Sequence, residues 1–202
     1  MTLRPRFERW VLVAFAALFM ALLSGCQSYD ALVEKDQTAE QKWADVEATL
    51  QRRYDLIPNL VAVAKGSAKH EEETLTKVME ARSMAASMKL KSEDLTDPAK
   101  MAAFEKAQEQ LKGPLSRLLV IDERYPDLKA NAAFHDLQKQ LEGTENRILI
   151  ARRDYNAAVK DYNAELGKIR GQAVNKATGQ PFKPRAYFNA STEAQVAPKV
   201  SF

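Results

Sequence analysis

The fold of this chain is decided by one regular stretch, which reads, from Phe134 to Ile169, FHDLQKQ LEGTENR ILIARRD YNAAVKD YNAELGK I. Each group of seven opens with a large apolar or aromatic residue: Phe134, Leu141, Ile148, Tyr155, Tyr162 and finally Ile169. A seven-residue apolar row is typical of a helix face that packs along neighbouring helices. The period holds for about 40 residues, or roughly 60 Å of helix. The stretch therefore predicts one long core helix.

A short segment is repeated inside this helix, as Asp154-Tyr155-Asn156 and again as Asp161-Tyr162-Asn163. The seven-residue spacing predicts that both Tyr rings point inward, and a buried Tyr hydroxyl needs a hydrogen-bond partner. The two Asn side chains then lie at the flank of the apolar seam. Because Asn is a mediocre helix former, its repeated place there predicts hydrogen bonds between helices.

The overall composition indicates a single helical domain. A chain of 202 residues suffices for one domain but not for two of ordinary size. Its 46% hydrophobic and 28% charged residues argue against wholesale disorder, and 7 Gly with 8 Pro are too few for an all-β sandwich or barrel. With 1 Cys and 2 His it forms no internal disulfide and no Cys/His zinc cluster. A net charge of +3 does not indicate nucleic-acid binding.

Residues 1–25 have the pattern of a signal peptide. Three Arg among the first ten residues precede an apolar run from Trp10 to Leu23, which is too short for the roughly 30 Å of hydrocarbon that a spanning helix crosses. The run ends in Leu23-Ser24-Gly25-Cys26, which resembles a bacterial lipobox. In a lipobox the Cys is lipidated and the peptide is cut just before it. We therefore expect lipidation at Cys26.

The alternative is an uncleaved, slightly short membrane anchor in which the Cys stands by chance. Both interpretations place the rest of the protein outside the cytoplasm, at a membrane. Gln27 follows the Cys where Asp would stand in an inner-membrane retention signal. This resemblance to Gram-negative sorting signals predicts the outer membrane if the cell has two membranes.

Three further helices are predicted ahead of the long one. The first runs from about Tyr29 to Lys65 and keeps its register across Pro58, which predicts a kink near Tyr54 to Ile57 rather than an end. The second spans about His70 to Met88. The third starts at Pro98 behind an Asp97 cap.

We expect the third helix to bend or break at Gly113-Pro114 and to end at Tyr125-Pro126, after which Asp127 caps the fourth. Short connections make neighbouring helices antiparallel, so residues 26–171 are predicted to form an antiparallel four-helix bundle with long first and fourth helices. Residues 172–202 are predicted to be an irregular tail that packs on the bundle or extends from it.

Several segments together resemble the LemA family of membrane-associated bacterial proteins. They are Arg52 to Val61, Lys65-Gly66, His70-Glu71, Thr74-Leu75, Ala81-Arg82, Tyr125 to Asn131, Glu142 to Ile148, Ala151 to Asn156 and Tyr162-Asn163. The resemblance implies an antiparallel four-helix bundle outside the cytoplasm behind an N-terminal anchor. It supplies no agreed biochemical activity. The chain departs from the family in lacking Phe-Pro after Tyr162-Asn163 and in carrying the lipobox.

Polar residues beside the predicted seams form the candidate interaction set. Facing residues of the first and fourth helices should have numbers that sum to roughly 195, which places Leu50 opposite Glu145 and Arg53 near Glu142. One interpretation is a row of interhelical ion pairs that fix the register, and the other is a recognition surface or buried polar cluster. The set contains Arg52, Arg53, Asp55, Asn59, His70, Glu142, Glu145, Asn146, Arg152, Asn156 and Asn163.

No motif in the sequence indicates catalysis. Gly-x-Ser-x-Gly and phosphate-binding glycine loops are absent, and His70-Glu71 lacks the second His of a zincin motif. His70, His135 and Glu71 could together hold a metal ion, but their weak spacing favours a helix-cap His and a surface His instead. We therefore expect no cofactor, no metal and no nucleic-acid partner. The leading hypothesis is a lipid-anchored, non-enzymatic scaffold that binds envelope proteins.

A second hypothesis is an adaptor or regulator of an envelope protease. Association with integral-membrane zinc peptidases is implied only by the family resemblance. A third is an enzyme that uses the Arg, Glu and His set. Whether exposed helix faces pair with a second copy of the chain stays open.

Overall fold

The computed structural model describes residues 4–179 and 182–189, and the regular elements in these ranges are all helical. Short 3-10 turns lie at Lys69–Glu71, Ser92–Thr96 and Ile121–Arg124. The predicted all-helical class is confirmed for the part of the chain described. The α-helices are α1 (Arg4–Ser67), α2 (Glu72–Ser87), α3 (Pro98–Leu119), α4 (Pro126–Lys129), α5 (Ala132–Gly167) and α6 (Ile169–Thr178).

Helix α1 continues through Pro58 because a neighbouring helix replaces the missing hydrogen bond. Proline has no N–H, so the carbonyl oxygen of Tyr54, four residues earlier, loses its helical donor. Nε of Arg82 in α2 donates to that oxygen at 3.0 Å. The prediction that Pro58 does not end the helix is therefore correct, and the same contact joins α1 to α2.

Helices α1 and α5 form the most extensive helix pair, and they run in opposite directions. Trp43 lies against Tyr155, with 5.4 Å between ring centroids, whereas the earlier Leu32 clusters with the later Tyr162. The apolar row of α5 is buried as predicted up to Tyr162. This pair forms the centre of the core.

The start of α3 matches the prediction. Oδ1 of Asp97 accepts from the N–H groups of Ala99 and Lys100, and Pro98 occupies the first helical position. Pro114 lies inside the helix, which continues to Leu119. Of the bend or break predicted at Gly113-Pro114, the break does not occur.

Two predicted boundaries between α3 and α5 are wrong. The helix α3 ends at Leu119 rather than at Tyr125, because a 3-10 turn at Ile121–Arg124 buries Ile121 and changes the chain direction. The cap of the next long helix is Asn131 rather than Asp127: Oδ1 of Asn131 accepts from the N–H groups of Ala133 and Phe134. Pro126 instead opens the single-turn helix α4.

The end of the long helix also differs from the prediction. Helix α5 stops at Gly167, and the chain then forms α6, so residues 172–178 are helical rather than irregular. A Cβ at Gly171 would collide with the carbonyl oxygen of Glu165, so only glycine allows this close approach at the turn. Ile169 consequently leaves the apolar row and is 88% exposed.

The side chain of Cys26 lies outside the described part of α1, so the lipidation prediction stays a prediction. Within the described residues, no helix combines the length and apolar character that a membrane span requires.

Candidate functional site

A groove along α5 holds residues 182–189, which we call the tail segment. The tail segment has neither helix nor strand and runs antiparallel to α5. Its Arg185, Ala186 and Phe188 are buried, whereas Lys183, Pro184, Tyr187 and Asn189 are exposed. The groove is thus occupied by an extended polypeptide that presents alternate parts of its surface to the protein and to solvent.

The two Tyr-Asn pairs of α5 bind this tail segment through its backbone. The amide of Asn156 accepts from the N–H of Phe188 and donates to its carbonyl, both at 2.9 Å. Asn163 makes the same two 2.9 Å bonds with Arg185. We call Tyr155, Asn156, Tyr162 and Asn163 the Tyr-Asn ladder.

The tyrosines of the ladder bind carbonyls two residues earlier in the tail segment. The Tyr155 hydroxyl donates to the Ala186 carbonyl at 3.1 Å, and that of Tyr162 donates to the Lys183 carbonyl at 3.0 Å. Burial raises the pKa of both tyrosines to about 12. Both hydroxyls therefore remain protonated donors at neutral pH, and the prediction that each finds a partner is correct.

The ladder keeps its register because the spacing of the asparagines along α5 matches the spacing of the residues that they bind in the tail segment. Seven residues of α-helix rise about 10.5 Å, and three residues of extended chain span roughly 10 Å. A step of one heptad on α5 therefore corresponds to three residues of the tail segment. Asn175 of α6 continues the series, since it pairs with both backbone groups of Phe182 at 2.7 and 3.0 Å.

Phe188 is the apolar anchor of the tail segment. Its ring stacks on Trp43 at 5.7 Å between centroids and meets Tyr155 edge-on at 5.5 Å. The guanidinium of Arg152 lies over the Phe188 ring, 4.5 Å from its centroid. Such cation–π and aromatic contacts favour an aromatic residue at this position of any bound chain.

Arg185 is the charged anchor. Its Nε donates to Oδ1 of Asp36 in α1 at 2.7 Å, and its guanidinium lies 5.9 Å from the Tyr162 ring centroid. Burial opposes the charge, but the hydrogen bond and the charge of Asp36 raise the pKa of Arg185. The ion pair therefore ties the tail segment to α1 as well as to α5.

At the end of the tail segment, Asn189 is held by charged side chains from two helices. Glu105 of α3 accepts from its backbone N–H at 2.6 Å and from its side-chain amide at 3.1 Å. Arg152 of α5 donates to the Asn189 carbonyl at 3.2 Å. Arg152 and Glu105 are themselves 3.8 Å apart, so this contact bridges α3 and α5 through the tail segment.

Beyond Asn189 the groove opens into a cavity of about 400 Å³ between α1, α3 and α5, which we call the charged cleft. Arg53 of α1 is buried there, donating to Glu145 at 3.4 Å and to Gln108 at 2.5 Å. Gln108 also accepts from the Tyr54 hydroxyl at 2.7 Å. The cleft is lined by Glu105, Lys106, Glu109, Lys112, Leu149 and others, so it carries both signs of charge.

The structure brings only part of the predicted interaction set together. Arg53, Glu145 and Arg152 line the charged cleft, and Asn156 and Asn163 form the ladder. The remaining members are exposed elsewhere, and Asp55 and Asn59 form hydrogen bonds within α1. These exposed residues are Arg52, Asp55, Asn59, His70, Glu142 and Asn146.

Two sequence predictions about contacts are corrected. Arg53 pairs with Glu145 rather than with Glu142, because the facing residue numbers sum to 198 at this point instead of roughly 195. Asn156 and Asn163 bind the tail segment and not another helix. An Asn side-chain amide can pair with both the N–H and the carbonyl of one residue in an extended chain. In a helix these backbone groups are already hydrogen-bonded to each other, so they are not open to such a pairing.

Several residues of the site are absent from the interaction set that the sequence predicts. Asp36, Glu105, Gln108, Trp43 and Phe188 all contact the tail segment or the charged cleft. The available signal was the three-residue spacing of Phe182, Arg185 and Phe188, which matches the heptad spacing of the asparagines.

The described residues contain no cluster of three His, Cys, Asp or Glu side chains able to hold a metal ion. His135 bonds to the Lys129 carbonyl at 2.7 Å and to Gln138 at 3.3 Å. Glu71 faces Arg124 at 2.9 Å and the Tyr125 hydroxyl at 3.1 Å. These contacts give local partners to His135, near the start of α5, and to Glu71, just before α2.

In the part of the chain that the structure describes, the regular elements are helices, and the longest helix pair holds an extended segment of the same chain. The LemA family model matches residues 42–202, which include the ladder, the charged cleft and the tail segment. Since this match covers most of the chain, the chain belongs to the LemA family. No curated protein matches it.

Proposed function

We propose that this LemA-family chain is a non-enzymatic, lipid-anchored envelope protein that binds or scaffolds other envelope proteins. The observation that carries the proposal is the groove of α5, which holds an extended polypeptide by paired hydrogen bonds to its backbone. Backbone-directed binding of an extended chain is a common mode of protein recognition. No cofactor and no nucleic acid takes part in this function.

The proposed architecture behind this function is an antiparallel four-helix bundle. Helices α1 and α5 are its long members, and α2 and α3 pair with each other beside them. The charged cleft lies between α1, α3 and α5, and the groove runs along α5 beside it. A rigid bundle suits a scaffold because its binding surfaces keep fixed spacing.

The proposed anchor is lipid on Cys26, which follows Leu23-Ser24-Gly25. It places the bundle on the periplasmic side of a membrane, with Gln27 favouring the outer one. Cys26→Ala should abolish fatty-acid labelling and leave residues 1–25 uncleaved. Undiminished palmitate labelling of this variant would contradict the proposed anchor.

The binding proposal is tested by photo-crosslinking in the native membrane. A photoreactive amino acid replaces Leu149 in the charged cleft or Tyr187 on the tail segment, which are 56% and 43% exposed. Met84 on α2, 57% exposed, is the matched control. We expect discrete adducts at the two site positions and not at Met84.

Equal adduct patterns at all three positions, or none at any, would contradict a protein-binding site here. Identification of the adducts by mass spectrometry also separates scaffold from adaptor. A single membrane peptidase partner would replace the scaffold proposal with the adaptor one.

A further inference from the structure

The tail segment is bound mainly through groups that every polypeptide carries. Asn156, Asn163 and Asn175 each pair with one residue's N–H and carbonyl, and two tyrosines donate to further carbonyls. The backbone N–H of Ala186 adds a bond to the Leu95 carbonyl at 2.7 Å. Since these hydrogen bonds involve only the backbone of the tail segment, any polypeptide with the same backbone conformation can form them.

The side chains of the tail segment are recognised at three positions that lie three residues apart. The paired asparagine contacts fall at residues 182, 185 and 188, and the side chain of each of these residues packs against the helices. Phe182 lies by Tyr29, at 5.9 Å between centroids, and packs against Leu32 and Leu166. The Arg185 and Phe188 subsites are acidic and aromatic, as described above.

The chain's own tail is an imperfect occupant of this groove. Within the described residues, Nη1 of Arg185 is buried without a hydrogen-bond partner. An unsatisfied buried donor opposes binding. This donor weakens the hold of the groove on the tail segment, so a partner segment that also fills the adjoining charged cleft can compete with it.

Resting on the proposed protein-binding function, we propose that the groove is a receptor for extended, proline-containing segments of partner proteins with the pattern aromatic-x-x-Arg-x-x-aromatic. The tail segment occupies this receptor in cis, and a partner segment binds in trans by displacing it. Because a tethered ligand acts at millimolar effective concentration, the tail sets a threshold that a partner must exceed.

The test uses the full chain and a fluorescein-labelled peptide of residues 182–189. Arg185→Glu in the full chain places a carboxylate beside Asp36 and releases the tail, while the groove stays unchanged. We expect the peptide, followed by fluorescence anisotropy, to half-saturate this variant at a concentration at least about tenfold lower than wild type. Adding Asn156→Ala and Asn163→Ala should remove that binding, whereas Asn146→Ala should not.

No saturable binding to an Arg185→Glu chain of wild-type helix content would overturn the inference, as would binding that ignores the two asparagines. If Arg185→Glu loses helix content, the wild-type chain is titrated with millimolar unlabelled peptide. Amide hydrogens of Arg185 and Phe188 should then exchange faster as peptide is added, and unchanged exchange would overturn the inference. Photo-crosslinks at Leu149 that persist despite peptide failure would leave the proposed function standing and only this receptor rejected.

Discussion

The two copies of Asp-Tyr-Asn in α5 make identical backbone contacts in different surroundings. Tyr155 and Asn156 bind residues 186 and 188, and Tyr162 and Asn163 bind residues 183 and 185. In both copies the Asn contacts a residue two positions after the one that the Tyr contacts. The repeat therefore fixes one register for the whole tail segment, in steps of three residues per heptad.

The copies differ in the side chain that each one receives. The first copy seats Phe188 among Trp43 and Tyr155, and the second seats Arg185 against Asp36. Burying apolar area supplies most of the binding free energy, whereas an ion pair with a partly exposed partner mainly fixes position. The ladder therefore sets where the tail segment lies, and the two subsites hold its Phe188 and Arg185 side chains.

The largest expected effect on stability comes from removing the aromatic ring of Tyr155, in the first Asp-Tyr-Asn copy. Tyr155 is fully buried, so Tyr155→Ala should lower the free energy of unfolding by roughly 3–5 kcal/mol. Urea unfolding of the full chain measures this change. A variant within about 0.5 kcal/mol of wild type would show that the row is not core.

Removing the ion pair between Asp36 and Arg185, beside the second Asp-Tyr-Asn copy, should have a smaller effect on stability. Asp36→Asn leaves the buried guanidinium of Arg185 without its carboxylate, which should cost about 1–3 kcal/mol. The loss should also make stability less dependent on salt, because the screened pair is gone. Equal salt dependence in the variant and the wild type would contradict a role for this pair.

The smallest expected effect concerns the two hydroxyls. Tyr155→Phe and Tyr162→Phe should each cost about 1 kcal/mol at pH 8. Since burial raises both pKa values to about 12, the folded state binds more protons than the unfolded state between pH 10 and pH 12. Wild-type stability should therefore fall as pH rises through this window.

The double Tyr→Phe variant should lose stability less steeply over the same pH window, since it lacks both titrating groups. Urea unfolding at pH 8 and pH 11 compares the two slopes. Identical slopes would place the alkaline sensitivity elsewhere in the molecule.

The seven-residue period of α5 made the helical core predictable from the sequence. The tail segment has no helical period, so its contacts with α5 were not predictable. The row from Phe134 to Tyr162 is buried because a heptad repeat on a helix admits one packing face. The partner of Asn156 lies 32 residues downstream in a segment with no helical period. The three-residue spacing of that segment becomes informative only beside a ladder of known geometry.

The misplaced boundaries have local causes. Asp127 and Asn131 both precede apolar residues and can both cap, and Pro126 made the first of them look like the start of the long helix. The error of three residues in the partner of Arg53 follows from matching predicted helix ends. Helix α5 ends at Gly167, whereas the apolar row predicts its continuation through Ile169.

The central claim is that the asparagines of α5 hold the tail segment in register, and residue-resolved amide hydrogen exchange tests it most directly. Asn163→Ala should speed exchange of the Arg185 amide and Asn156→Ala that of the Phe188 amide, each by at least about tenfold for a loss near 1.4 kcal/mol. Asn146→Ala, an exposed asparagine of the same helix, should change neither. Exchange at Arg185 and Phe188 that is the same in all three variants as in wild type would contradict the claim.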